Sequence, residues 1–275
     1  MKNEKIRQMT ATGKIYLVGA GPGDPELLTV RAHRLLRQAG VVLHDDLVPE
    51  AIVSLAGRQA EVVNVGKRCG AKRITQNEIN TRMIDSVRRG LSVVRLKSGD
   101  PGIFGRLAEE MEALDAAAVP YEVVPGITAG IAAAASLAVS LTDRRKSARV
   151  VIVTGHKGYA GQKEQKIDWK NLARQDATLI VYMPGHEFSN LRAELLEAGL
   201  SAAVPAVIVS RASAPEQRHQ YTTVGCLDSL PRFESPSILL MGWALEGAGE
   251  KRRTQRAPSV TDCAIDCAEL MLASE

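Results

Sequence analysis

Residues that could bind or transform a ligand follow five short apolar runs in the first half of the chain. They form five groups, at positions 19–24, 45–46, 67–68, 98–106 and 125–129. Carboxylates such as Asp45 can accept a proton, cations such as Lys67 can bind an anion, and glycines admit a ligand close to the backbone. Because the carboxyl ends of parallel strands meet at one edge of an open sheet, this pattern predicts one shared site.

Strands and helices must position these groups. Runs rich in β-branched and apolar residues, which favour strands, lie at 15–18, 40–48, 60–65, 92–96 and 121–124. Helical patterns separate them, and one is predicted to begin at a capping box made by Thr75 and Glu78. Another helix is predicted from Pro25 to Leu36, directly after the first glycine turn. Strands that alternate with helices indicate an α/β domain with a mostly parallel sheet.

A second α/β series follows, with predicted strands at 149–154, 177–183, 203–210 and 237–241. The polar, basic segment 143–148 is the best candidate for a linker. The predicted organisation is a disordered or tag-like start at 1–13, an N-terminal α/β domain at 14–142, the linker, a C-terminal α/β domain at 149–247 and a tail at 248–275.

Bulk composition favours a soluble protein that acts on a small anionic molecule. The 275 residues suffice for two modest domains, and 45% hydrophobic with 24% charged residues is ordinary for globular chains. A net charge of +4 suggests an anionic substrate or a local basic face more than a nucleic-acid partner, and no apolar run approaches membrane-spanning length. The polar start lacks a signal-peptide pattern, so we expect a cytoplasmic protein. Spacing predicts no metal site for the cysteines Cys69, Cys226, Cys263 and Cys267.

The first glycine turn invites comparison with a dinucleotide-binding fingerprint, which it fits poorly. After Gly19 and Gly21, the third glycine comes one residue early, at Gly23. Pro22 removes a backbone N–H that would face a pyrophosphate, and Asp24 adds a negative charge. The turn therefore argues against a nicotinamide or flavin cofactor.

The motifs resemble those of the tetrapyrrole methyltransferases, in order, from residue 14 to residue 242. VGKRCG at 65–70 and QNEIN at 76–80 are similar to the uroporphyrinogen-III C-methyltransferases in particular. Further matching motifs are VGAGPGDPELLT at 18–29, VRLKSGDP at 94–101, IFGR at 103–106, VPGITA at 124–129, LT at 141–142, VTGH at 153–156 and YM at 182–183.

The resemblance implies a fold and a methyl donor. The fold would have two αβα domains of the tetrapyrrole methylase type, with a cleft between them, in a homodimer. The donor would be S-adenosyl-L-methionine, with S-adenosyl-L-homocysteine as product and no metal. By motif position its site would comprise Pro22, Ser98, Gly99, Asp100, Ile103, Thr128, Ala129, Met183 and Ala212.

The resemblance also implies an acceptor reaction: methylation of uroporphyrinogen III at C2 and C7, giving precorrin-2 through precorrin-1, for sirohaem or cobalamin. Asp45 would accept a proton and Lys67 would donate one. Alternatively, Asp45 caps the helix that follows, and Lys67 only binds a substrate carboxylate. Further contacts to the eight substrate carboxylates would come from a set of arginines, for which a solvated basic face is the competing interpretation: Arg68, Arg95, Arg106 and Arg144.

Several residues depart from the family pattern. Asp46 stands where arginine is usual and Asp143 where histidine is usual, so both make the site less favourable to carboxylates. Ser98 replaces a glycine, Gly102 replaces a phenylalanine, and residues 107–108 replace two glycines. These departures keep open a C-methyltransferase that acts on a later precorrin. A ribosomal-RNA 2′-O-methyltransferase of the same fold and a non-catalytic donor-binding subunit are the remaining alternatives.

Overall fold

A computed structural model describes residues 13–66, 74–155 and 167–247 of the chain. The chain divides into two compact units, residues 1–132 and 133–275. The first unit ends earlier in the sequence than the predicted domain boundary, so the predicted linker 143–148 belongs to the second unit. Within the described ranges no helix is long and apolar enough to cross a membrane.

The first unit contains a five-stranded parallel sheet in the order β3-β2-β4-β1-β5. The strands are β1 (Ile15–Gly19), β2 (Val41–His44), β3 (Glu61–Asn64), β4 (Val93–Lys97) and β5 (Tyr121–Val124). The helices of this part of the chain are α1 (Val30–Gln38), α2 (Glu50–Val53), α3 (Gln76–Arg88), α4 (Leu107–Ala116) and α5 (Ala129–Ser136), the last of which crosses the boundary between the units. The α/β prediction for this half is confirmed.

Alternating side chains of the strands build two apolar layers, one on each face of the sheet. On β1, Leu17 joins the layer that includes Met83 of α3, whereas Val18 joins the layer that includes Leu36 of α1. Period-two alternation in the strands meets the apolar stripes of the helices, which is how an open sheet buries both faces.

The two helix N-termini predicted from local sequence signals have different outcomes. The capping box at α3 is confirmed, because the Thr75 and Glu78 side chains each bond the other's backbone N–H. The single helix predicted from Pro25 to Leu36 is wrong. A short 3-10 turn at Pro25–Leu27 comes first, and α1 begins afresh where the Thr29 hydroxyl caps Ala32 N.

The second unit contains a five-stranded mixed sheet in the order β6-β7-β10-β8-β9. Its strands are β6 (Arg149–Thr154), β7 (Ala177–Tyr182), β8 (Pro205–Ser210), β9 (Arg218–Thr223) and β10 (Ser237–Met241). Its remaining helices are α6 (Trp169–Leu172) and α7 (Ser189–Glu197). β10 is antiparallel to both of its neighbours, and β9 is antiparallel to β8.

The mixed sheet corrects the expectation of mostly parallel sheets in both halves. β9, with the sequence RHQYTT, was not predicted, because it is an edge strand with exposed polar residues at its start and carries no apolar run. The direction of β10 is equally invisible in its sequence, SILLM, since a fully buried strand has the same composition in either direction.

Candidate active site

The glycine loops after β1, β4 and β5 lie together at one edge of the first sheet. Gly21 and Gly99 bond each other in both directions, with N–O distances of 3.1 and 2.7 Å. Asp100 Oδ1 accepts from Gly102 N at 2.8 Å, and its Oδ2 accepts from Gly126 N at 3.0 Å. Asp100 therefore ties the loop after β4 to the loop after β5.

Glycine is required here by close packing of backbone on backbone. A Cβ on Gly126 would lie 2.2 Å from the Gly99 carbonyl oxygen, and one on Gly19 would lie 2.6 Å from Gly126 N. Gly99 has φ +68°, and a Cβ there would still be 3.7 Å from Thr128 Cα and Ala129 N. These loops, called the cradle below, thus pack backbone against backbone at Gly19 and Gly126, where a side chain would not fit.

The edge gathers most of the residues predicted to hold the donor. Those carried by the three loops are Pro22, Ser98, Gly99, Asp100, Ile103, Thr128 and Ala129. Seven of the nine residues predicted to hold the donor therefore lie on loops at one edge of the first sheet.

The two other predicted donor residues belong to the second unit. Met183 directly follows β7, and Ala212 comes two residues after the end of β8. Register places the ends of these strands on either side of the start of β10, with Tyr182 opposite Ile238 and Ser210 opposite Ser237. Both residues therefore lie at the same edge of the second sheet. The Met183 side chain is 47% exposed there.

Left-handed backbone at residues other than glycine marks both edges. Within the described ranges, two of the seven such residues, Ala118 and Ala138, lie just beyond helices α4 and α5. The other five lie in loops at the carboxyl ends of strands, and they are Phe104, Arg106, Met183, Arg211 and Ser213. Such conformations cost of order 1–3 kcal/mol and cluster at functional sites. None of these residues is of a type that favours left-handed backbone, such as Asn or Asp, so the sequence contains no signal for this feature.

A buried charge array, made of Asp45, Arg95, Glu110 and Lys97, stands at the same edge of the first sheet. Arg95 Nη2 donates to Asp45 Oδ1 at 2.5 Å, and Arg95 Nε donates to Glu110 Oε1 at 2.9 Å. Lys97 Nζ donates to Glu110 Oε2 at 2.9 Å. Two carboxylates thus alternate with two cations. Sequence reasoning missed Glu110 and Lys97, because Glu110 lies inside helix α4 and Lys97 is the last residue of β4, one position before the predicted site group 98–106.

The environment holds Arg95 as a permanent cation. Burial acts to lower the pKa of Arg95, but the carboxylates of Asp45 and Glu110 outweigh it and raise that pKa above its ordinary value. Burial and then the neighbouring Arg95 lower the pKa of Lys97, against the opposing effect of Glu110. Asp45 therefore has a fixed positive charge beside it.

The carboxylate of Asp45 does not serve as a helix cap. Helix α2 begins after Pro49 without a side-chain cap, and the Asp45 carboxylate accepts from Arg95 instead. Arg95, predicted to contact substrate, is 3% exposed and directs its remaining donors at the carbonyl oxygens of Leu43 and Leu96.

The other predicted charged residues are scattered. Arg106 is half-buried and forms a two-bond pair with Glu109, at 2.7 and 2.5 Å. Arg144 is exposed and belongs to the second unit. Asp46 Oδ1 accepts from Asn64 at 2.8 Å and so links the ends of β2 and β3. Two predicted residues, Lys67 and Arg68, lie outside the described residues.

Residues 14–228 match the family of Tetrapyrrole (Corrin/Porphyrin) Methylases. The chain belongs to this family. This tetrapyrrole methylase is 39% identical over 249 residues to the uroporphyrinogen-III C-methyltransferase of Synechocystis sp., with 90% of this chain and 94% of that protein covered. It is 42% identical over 238 residues to the siroheme synthase of Ectopseudomonas mendocina, covering 84% of this chain and 50% of that protein. The methylase thus spans about half the length of the siroheme synthases it matches.

Solved structures of related methyltransferases have the same fold. Uroporphyrin-III C-methyl transferase from Thermus thermophilus, complexed with S-adenyl homocysteine, aligns with a TM-score of 0.72 at 36% identity, covering 85% of this methylase and 94% of that chain. Cobalt precorrin-4 methyltransferase, CbiF, aligns with a TM-score of 0.76 at 32% identity, covering 86% and 98%. The tetrapyrrole methylase fold inferred from the motifs is confirmed.

Proposed function

We propose that this chain transfers methyl groups from S-adenosyl-L-methionine to C2 and C7 of uroporphyrinogen III, giving precorrin-2 through precorrin-1. The observation that carries the proposal is a carboxylate, Asp45, that is 31% exposed at the sheet edge and held there by a buried arginine. The uroporphyrinogen-III C-methyltransferase of Synechocystis covers 90% of this chain, and the solved uroporphyrin-III C-methyl transferase covers 85%. The reaction would supply sirohaem or cobalamin synthesis in the cytoplasm.

Donor binding is assigned to the cradle of the first sheet and to Met183 and Ala212. When bound, S-adenosylmethionine supplies an electrophilic methyl group. The backbone around Gly99 and Thr128 would approach the adenosine and methionine parts of the donor, and apolar side chains such as Ile103 and Met183 would cover the adenine. S-adenosylhomocysteine would leave as the product. We assign no role to a metal ion.

Acceptor chemistry needs positioning and proton removal. A pyrrole carbon forms the new C–C bond as the S–CH₃ bond breaks and its electron pair stays on sulfur, so alignment of the reactants supplies much of the rate. The methylated ring system is cationic and must then lose a proton, which we assign to the Asp45 carboxylate. Lys67 is proposed as the proton donor. Arg68, Arg106 and Arg144 are proposed to bind substrate carboxylates.

Two further assignments belong to the same proposal. The active form is proposed to be a homodimer, to be checked by light scattering. A later precorrin is the second candidate acceptor, because CbiF, named for cobalt precorrin-4, aligns over 86% of the chain and Asp46 adds a negative charge beside Asp45.

The test is an anaerobic assay with purified uroporphyrinogen III and S-adenosylmethionine, read by product mass. The expected product mass corresponds to two methyl groups added and two hydrogens lost, with two equivalents of S-adenosylhomocysteine formed. Donor binding without turnover of uroporphyrinogen III, but with turnover of a later precorrin, would move the assignment to the second candidate. Failure to bind the donor in calorimetry would overturn both.

A further inference from the structure

The buried charge array occupies a face of β4 that should be apolar. Side chains alternate along this strand, and Val93 lies in the apolar layer beneath α3 and α4. Arg95 and Lys97 point to that same layer and are 3% and 2% exposed. Glu110 on α4 is fully buried between them. Two cations and a carboxylate thus replace apolar side chains inside a packed layer.

Such an arrangement is a poor way to stabilise a fold. Removing charges from water costs several kcal/mol per ion, and apolar replacements of similar volume are often neutral or stabilising. The array must therefore be explained by what it holds. Its exposed end is Asp45, at 31%, whereas the other three members are almost fully buried.

The geometry fixes the direction of the Asp45 carboxylate. A guanidinium is planar and rigid, so an arginine bonded through Nε to one group has little freedom at Nη2. Arg95 spans Glu110 and Asp45 in this way, at 2.9 and 2.5 Å. Lys97 holds the second oxygen of Glu110, which prevents that carboxylate from turning.

The QNEIN motif at 76–80, which resembles that of the uroporphyrinogen-III C-methyltransferases, also contacts this array. Gln76, the first residue of α3, donates to Glu110 Oε1 at 3.3 Å and to Asn80 Oδ1 at 3.2 Å. Gln76 and Asn80 are the first and last residues of the QNEIN motif. The Gln76 amide is thus a third donor to Glu110, beside Arg95 and Lys97, and Asn80 accepts from the same amide nitrogen. The motif therefore helps to hold Glu110 in place.

We infer that Arg95 is a positioning residue for Asp45, and that Glu110, Lys97 and Gln76 lock Arg95 in that task. Resting on the proposed function, this inference assigns Arg95 to the orientation of the proton acceptor and not to substrate binding. The carboxylate that receives the proton is held in one direction by a cation that stays charged. Other charged or titratable groups next to Asp45 are His44, whose Nδ1 lies 3.1 Å from the Asp45 carbonyl oxygen, and Asp46.

The experiment compares wild type, Asp45→Asn, Arg95→Lys and the double variant in anaerobic turnover, with donor binding by calorimetry. Asp45→Asn should lose about 10²–10⁴-fold in kcat. Arg95→Lys keeps one charge but cannot span both carboxylates, so it should lose about 100-fold in kcat with donor Kd unchanged. In the Asp45→Asn protein, Arg95→Lys should add little further loss, because the group it positions is already gone.

Two readouts separate positioning from plain structural support. In Arg95→Lys the loss should fall on kcat, with KM for uroporphyrinogen III nearly unchanged, because a misdirected carboxylate slows the chemical step without removing a substrate contact. Leu114→Ala, one turn further along α4 and fully buried, is the matched control. It should lower the urea unfolding midpoint while leaving kcat nearly unchanged. Gln76→Ala, at a half-buried helix start, should reproduce a smaller part of the Arg95→Lys loss.

Losses in kcat that multiply fully in the double variant, or a loss in Arg95→Lys that appears in KM rather than in kcat, would overturn the inference. If wild type does not methylate uroporphyrinogen III, the proposed function fails separately. Urea unfolding of the same four proteins then decides the inference. Non-additive shifts of the unfolding midpoint would show that Arg95 holds Asp45, and additive shifts would show that it does not.

Discussion

The two sheets carry different buried polar groups. In the first unit, Arg95, Lys97 and Glu110 are charged and almost fully buried beside a parallel sheet. In the second unit, the hydroxyls of Ser147, just before β6, and Thr178 in β7 form a neutral buried pair bonded at 2.8 Å. The contrast teaches that burial of charge accompanies the edge to which we assign proton transfer.

The edges differ in backbone as well. The first edge depends on close glycine packing among the loops after β1, β4 and β5, where a Cβ on Gly126 would meet a carbonyl oxygen at 2.2 Å. The second edge places side chains in left-handed backbone, at Met183, Arg211 and Ser213. Four pairs of substitutions test the comparison of the two units.

The largest effect is expected for Glu110→Ala, which leaves Arg95 and Lys97 buried without their shared carboxylate. We expect a loss of about 3–5 kcal/mol in the free energy of unfolding, measured by urea titration, because an uncompensated buried charge is costly. Ser147→Ala in the second unit should cost only about 1–3 kcal/mol, the usual penalty for a buried hydroxyl left without its partner. Equal losses would remove the contrast between charged and neutral burial.

Gly126→Ala should come next. Overpacking against the Gly99 carbonyl should cost about 1–3 kcal/mol and spread the loops, so donor affinity should fall in calorimetry. The control is Gly40→Ala in the same unit, where the nearest atom to a new Cβ is 3.5 Å away. It should leave both stability and donor affinity nearly unchanged. Unaltered donor binding in Gly126→Ala would remove the cradle from the donor site.

Met183→Gly should have a smaller effect on stability, of opposite sign. Relief of left-handed strain at φ 49° should stabilise the protein by about 1 kcal/mol, while loss of the side chain weakens donor binding. Ala138→Gly is the matched control, because Ala138 also has a left-handed φ, 52°, but follows a helix. It should gain stability without changing donor affinity. Equal donor affinities in both variants would contradict the assignment of Met183.

The smallest effect is expected at an exposed pair of the second unit. The hydrogen bonds from Arg145 hold the pKa of Asp143 well below its usual range. A lowered carboxyl pKa contributes stability above the unfolded-state value, and that contribution is lost as pH falls. Asp143→Asn should therefore be slightly less stable than wild type at pH 7, with the difference shrinking below about pH 4 in thermal unfolding. Arg145→Gln should show the same convergence, whereas a constant difference would contradict this account.

Much of the fold was predictable because its signals are local. The apolar runs of β1 and β4, the capping box of Thr75 and Glu78, and the glycine turns were read from neighbouring residues, and the structure confirms them. β9 and the mixed character of the second sheet were not predictable, because a polar edge strand gives no apolar run and strand direction leaves no mark on composition.

The residues of the candidate site were likewise predictable only where the signal is local. Asp45 and the glycine loops stand out in the sequence, because residue type and strand-end position suffice to select them. The pairing of Asp45 with Arg95 does not stand out, because Arg95 comes from another strand. Glu110, which accepts from Arg95 Nε at 2.9 Å, lies on a helix fifteen positions further along the chain. The sequence by itself determined which groups could do chemistry and the layers that carry them. Only the tertiary structure decided that Arg95 faces Asp45 and Glu110, because contacts between distant segments depend on how strands and helices pack.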